Sequence, residues 1–264
     1  MITLKLSSSV YFFVMKKEIP NEQRIGVTES GEIAFNLDAF DRLYKANIII
    51  TKRLTDELIE KLIEHKEKII LHLTCTGMGG TRIEPFVPKL QDTYKKFLQL
   101  IEGGFPVSQV VLRIDPIIPT KKGLLTAMGV LRRFKGLGVY RLRISFLDNY
   151  KHVKERFVKE NIPILYGGSF HAELEVREKM MAEFRGCATE CGFYSIETCG
   201  EPGFHNISCV SLADIQILGL ENEITLEGSA EQRKSCGCPA NKSELLRVKP
   251  HRCENKCLYC YWRD

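Results

Sequence analysis

Short runs of Ile, Val and Leu alternate along this chain with longer stretches of helical periodicity, and that alternation restricts it to folds built from strand-helix-strand units. Apolar runs at 47–51, 69–75, 109–114, 140–146, 162–166 and 192–197 are predicted as strands. Helices are predicted near 55–65, 89–102, 123–135, 150–159 and 171–187, with a short one at 214–218. Thr55 is placed to cap the first helix, Asp56 and Glu57 suit its dipole, and Leu58, Ile59, Leu62 and Ile63 form one apolar stripe. Right-handed crossovers then produce a parallel α/β sheet, and at least six strands favour a complete or partial (β/α) TIM-like barrel.

Such folds bind ligands at the C-terminal edge of the sheet. Polar or glycine-rich residues stand there after successive strands: Thr74, Thr76 and Gly77; Arg113 and Asp115; Ser145 and Asp148; Gly167 and Gly168; Glu197 and Thr198. They mark the expected mouth of an active site, with Arg113 and Asp115 the most informative because two opposite charges flank Ile114 at the end of an apolar strand. The 264 residues, 44% hydrophobic and 27% charged, suffice for a folded chain with a large core. We divide it into a barrel core over 1–198 and a Cys-rich C-terminal region over 199–264 that carries the ligands and closes the barrel.

The net charge of +5 is too small and dispersed to mark a nucleic-acid surface. The basic groups Arg132, Arg133 and Lys135, and Arg141 and Arg143, read as solvated faces. The apolar stretch at 10–15 is broken by Lys16 and Lys17, falls far short of the roughly 20 residues of a membrane span, and lacks the order of a secretory signal. The expected location is the cytoplasm, with no membrane partner.

Nine of the ten cysteines lie in the last third of the chain, all but Cys75. In a large chain without an export signal this points to metal or cluster ligation rather than disulfides. The segment Cys253-Glu-Asn-Lys-Cys257-Leu-Tyr-Cys260 spaces three thiolates so that one loop can ligate three irons of a cubane and leave the fourth open. That C-x3-C-x2-C spacing is the pattern of radical SAM enzymes. There a [4Fe-4S] cluster binds S-adenosylmethionine at its open iron and cleaves it reductively to a 5'-deoxyadenosyl radical. Zinc is the competing occupant, but it takes four ligands in paired spacing.

Tyr259 stands where that superfamily sets a side chain against the adenine, and Leu258, Tyr261 and Trp262 are placed to exclude water. Cys199, Cys209, Cys236 and Cys238 suggest a second, four-thiolate site for either an auxiliary iron-sulfur cluster or zinc.

Several ordered segments are similar to an uncharacterised bacterial family, domain of unknown function 1848: Leu73-Thr-Cys-Thr-Gly77, Ile83-Glu-Pro85, Arg113-Ile-Asp-Pro116, Ile144-Ser-Phe-Leu-Asp148, Glu197-Thr-Cys199, Cys236-Gly-Cys238 and Cys253 through Tyr261. The resemblance implies that Cys199, Cys209, Cys236 and Cys238 act as a unit, and that a radical-SAM-type cluster lies at the C-terminus by a permuted chain order. The last strand is then expected at 245–248, beside the N-terminal one.

The expected function is a radical SAM-type enzyme. Its metal ligands are Cys253, Cys257 and Cys260; Arg113, Asp115, Ser145 and Glu197 line the reacting mouth; and Tyr259, Thr74 and Thr76 contact the cofactor. By superfamily analogy an electron donor such as flavodoxin or ferredoxin is expected. Nucleic acid, or a modified base within it, stands among the candidate substrates. The alternatives are a zinc-stabilised, non-catalytic module that binds nucleic acid or protein, and a metal-dependent hydrolase. The six histidines show no paired ligand spacing for the latter, although His72 lies on a strand.

Overall fold

The computed structural model describes residues 19–163, 166–230, 236–246 and 253–262. Its frame is one sheet of seven strands: β1 (Ile25–Val27), β2 (Ala46–Thr51), β3 (Ile69–Thr74), β4 (Val110–Ile117), β5 (Arg141–Phe146), β6 (Ser195–Thr198) and β7 (Lys242–Glu244). The order is β6-β5-β4-β3-β2-β1-β7, and every pairing is parallel. Strands thus follow one another across the sheet as in a TIM-like barrel, but the sheet is not closed, because β6 and β7, consecutive in the chain, form its two edges and do not pair. The architecture is a partial barrel.

Period-two alternation sends successive side chains to opposite faces. Ile49, Leu71, Leu73, Leu112, Ile114, Leu142 and Ile144 point outward into the main core. There they meet α1 (Asp56–Glu64), α2 (Leu90–Glu102), α3 (Lys121–Phe134) and α5 (Leu174–Glu190). Phe97, Phe134 and Phe184 are fully buried in this layer, and each large side chain so buried contributes roughly 1.5–3 kcal/mol. On the inner face, Ile25, Val27, Ile48, Ile70 and Val111 are covered by Val210, Ile215 and Ile224. The segment around α6 (Leu212–Ile217) therefore fills the hollow of the sheet.

Helix α1 begins as its sequence dictates: the Thr55 hydroxyl accepts the Leu58 N–H at 3.2 Å. Thr55→Ala should cost about 1 kcal/mol, read as a lower denaturation midpoint at unchanged slope. Helix α4 (Lys151–Lys159) turns Val153 and Phe157, one turn apart, onto the C-terminal cysteine loop rather than onto the sheet.

Three expectations need correction. Among the described residues of 162–166 none is in a strand: β5 pairs directly with β6, Ile162 and Pro163 are irregular and Tyr166 opens a 3-10 turn, while Ile164 and Leu165 lie outside the described residues. The last strand is 242–244, not 245–248, of which Arg247 and Val248 lie outside the described residues. Its Lys-Ser-Glu sequence carries no apolar signal, as suits an edge strand paired on one side only. β7 does lie beside the first strand, pairing Ile25 with Lys242, yet it leaves the barrel open.

β1 itself was not expected, since it is only three residues long and contains Gly26. A Cβ on that glycine would come within 2.3 Å of Asn47 Oδ1 and 2.8 Å of Leu245, so the close strand approach requires its absence. The described residues of the 199–264 region supply β7 and the filling of the inner face.

Candidate metal centres

Strand register stacks the polar side chains of the inner face in rows. Thr74, Arg113, Arg143 and Glu197 stand side by side on β3 to β6, one row above His72, Val111, Arg141 and Ser195. Arg141 and Arg143 are not solvated, as their sequence context suggests, but buried. Arg141 Nη2 donates to Asp214 at 2.7 Å. Arg143 bonds Glu197 through Nε at 3.1 Å and through Nη2, and donates to the Ser208 carbonyl at 2.6 Å. Their charges are tolerable inside only because each meets a carboxylate.

Nearer the mouth, Asp115 accepts from both Arg113 and Ser145, so three of the expected site residues form one network. Burial would raise the Asp115 carboxyl, but Arg113, Ser145 and Lys52 outweigh it and hold the group below its ordinary range. Glu197 is instead committed to Arg143 and Ser195. His72 is wholly buried, with no partner for either ring nitrogen among the described residues; burial and the nearby arginines keep it neutral.

Cys199, Cys209 and Cys238 are buried together, with half-buried Cys236 packed against them. Cys199 Sγ lies 3.4 Å from Cys209 Sγ. Hydrogen bonds from Cys199 and Cys238, aided by Arg113 and Arg143, hold Cys209 well below the usual thiol range, while the same bonds and burial push Cys199 and Cys238 up.

The C-terminal loop sits over the ends of β2 and β3. Leu258 N–H bonds the Ile83 carbonyl at 2.9 Å, Arg156 Nε bonds the Leu258 carbonyl at 2.9 Å, and Asn255 Nδ2 donates to buried Glu32 at 3.0 Å. Tyr259 donates its hydroxyl to Glu84, which also accepts from Thr76 at 2.6 Å and from Lys52 at 3.1 Å. The expected cofactor contacts Tyr259 and Thr76 are thus both tied to one buried carboxylate, and Thr74 stands in the arginine row.

Cys253 is exposed, Cys257 buried and Cys260 half-buried. Burial pushes Cys257 up to about 12, with Lys52 opposing and Glu84, Cys260 and Cys253 adding to the rise. Cys253 in turn feels Cys260, so the three sulfurs lie within one another's fields.

Arg113 joins the two groups electrostatically. It lies in the field of Cys209, Cys199 and Glu29, while its partner Asp115 lies in that of Lys52. Sequence reasoning missed Lys52, Glu84, Glu32, Asn255 and Glu29. The carboxylate Glu84 between Ile83 and Pro85 is the one that a buried-charge signal would have found.

Glu201, also missed, accepts from Phe146 N–H at 2.6 Å and Arg177 at 3.2 Å. Burial pushes it up to about 7 against these two donors. Because its folded value lies above 4.5, its stabilisation is complete below that pH and is lost as pH rises through about 7. Glu201→Gln should remove a decline of about 3 kcal/mol across that window, read from urea unfolding at a series of pH values.

A family model described as Domain of unknown function (DUF1848) matches residues 43–262. The chain belongs to the DUF1848 family. The match covers both cysteine groups and the Arg113 network, but begins after β1, so Glu29 and Glu32 precede it. A comparison with curated proteins finds no match. No helix among the described residues of this DUF1848 chain is long and apolar enough to cross a membrane.

Proposed function

We propose that this DUF1848 protein is a radical SAM-type enzyme in which Cys253, Cys257 and Cys260 hold a [4Fe-4S] cluster. The observation that carries the reading is the position of the C-terminal loop, seated by Tyr259, Asn255 and Leu258 over the C-terminal edge of a parallel partial barrel. The donor set fits. Its three thiols come from one short loop, and Cys257 lies in the electrostatic field of both Cys253 and Cys260, which supports reading them as one ligand set.

When bound, such a cluster supplies the electron that cleaves S-adenosylmethionine coordinated at its open iron. Around it Leu258 and Tyr259 are buried and keep water from one side, while Tyr261 and Trp262 form an exposed aromatic rim with Tyr150 and Phe170. Arg113, Asp115 and Ser145 present a hydrogen-bonded polar floor for substrate or cofactor. Flavodoxin or ferredoxin would serve as electron donor, and the substrate falls to be identified after turnover is seen.

The test is anaerobic reconstitution with iron and sulfide, followed by dithionite and S-adenosylmethionine. A cluster absorbance and 5'-deoxyadenosine are the expected results. Absence of both S-adenosylmethionine binding and 5'-deoxyadenosine formation would end the reading.

A further inference from the structure

We infer that the second cysteine group holds a single divalent ion rather than a cluster, and that its fourth ligand is the carboxylate of Glu29 instead of Cys236. The inference rests on the reading that these cysteines bind metal, and is independent of the C-terminal cluster.

Separation of the donor atoms decides between the two occupants. A tetrahedral ion with metal–sulfur bonds of about 2.3 Å and metal–oxygen bonds of about 2.0–2.2 Å places neighbouring donors roughly 3.5–4 Å apart. Thiolates on different irons of a cubane stand farther apart. Here Cys199 and Cys209 sulfurs are 3.4 Å apart, and a Glu29 oxygen with the sulfurs of Cys209 and Cys238 lie within 4.8 Å of one another. Among the described residues this is the one set of three or more such donors so tightly placed; Cys199 and Cys236 are both outside it, and Cys199 joins through its 3.4 Å approach to Cys209, which Cys236 does not share.

Topology explains why the oxygen is there. β1 and β7 lie side by side in the sheet, so Lys242, which opens β7, is within reach of Glu29, which follows β1, and of Cys238 four residues before it. Lys242 then bonds the Glu29 carboxylate and approaches Cys238 Sγ at 3.8 Å, aiming the oxygen at the thiols in the way that an outer hydrogen bond orients a ligand. Three thiolates and a carboxylate carry four negative charges against two on the ion. Lys242, bonded to Glu29, offsets part of the excess directly, and Arg113 and Arg143, each also bonded to a carboxylate outside the set, add a favourable field at Cys209. The thiolate-rich set with one oxygen suits zinc or ferrous ion.

The experiment uses the full-length Cys253→Ala, Cys257→Ala, Cys260→Ala variant, isolated anaerobically and loaded with zinc alone, so the fate of the C-terminal reading does not enter. X-ray absorption at the zinc edge should show three sulfurs and one oxygen around one zinc per chain. In a cobalt titration, Glu29→Gln should weaken binding at least about ten-fold, and Cys236→Ser should stay within about two-fold of the parent. A four-sulfur shell, cluster absorbance after iron and sulfide treatment of this variant, or no zinc binding would each overturn the assignment. The zinc-edge spectrum of the parent distinguishes oxygen from a fourth sulfur even where Glu29→Gln fails to fold.

Discussion

Cys253→Ala should abolish 5'-deoxyadenosine formation and the cluster absorbance, while leaving the unfolding midpoint of the unreconstituted chain unchanged. Loss of one of three ligands removes an anchor that neither neighbouring thiol replaces, and rate enhancements that depend wholly on a bound cofactor vanish with it. Cys253 is the informative choice because it is exposed, so its side chain contributes nothing measurable to packing. Cys257 is buried among Met78, Val153 and Phe157, and its replacement would mix a packing loss into the result. Product formation at the parent rate by Cys253→Ala would remove this cysteine from the cluster and sink the three-thiol assignment.

Glu84→Ala should destabilise the chain by about 3–5 kcal/mol, because the carboxylate is wholly buried and its loss leaves the Lys52 ammonium largely buried without its partner. The Thr76 and Tyr259 hydroxyls lose their acceptor at the same time. Urea unfolding measures the loss, and hydrogen exchange should show faster opening across 253–260, whose docking uses the Tyr259 bond. Adding Lys52→Met to Glu84→Ala should recover part of the stability, since it removes the stranded charge; strictly additive losses would show that the two side chains do not act as a pair.

The strands and helices of the sheet's middle were legible because burial on both faces writes a mostly apolar run, as in residues 69–73, interrupted only by His72, and because one-sided helices write a stripe, as in Leu58, Ile59 and Leu62. β1 and β7 were not, since three-residue strands carry too little pattern to separate from loop. Arg141 and Arg143 misled for a different reason. A buried arginine and a solvated one look alike until the partner is known, and Asp214 and Glu197 lie 73 and 54 residues away.

Chemistry followed the same division. Spacing alone marks Cys253, Cys257 and Cys260 as one unit, and alone brings Arg113 next to Asp115, because neighbours in sequence are obliged to be neighbours in space. The carboxylates Glu29, Glu32 and Glu84, and the lysines Lys52 and Lys242 that meet two of them, were decided by the tertiary structure. Parallel strands place their C-terminal ends at one edge whatever their order in the chain. Only the register of that edge, and the pairing of the last strand with the first, determines which distant charge arrives beside which sulfur.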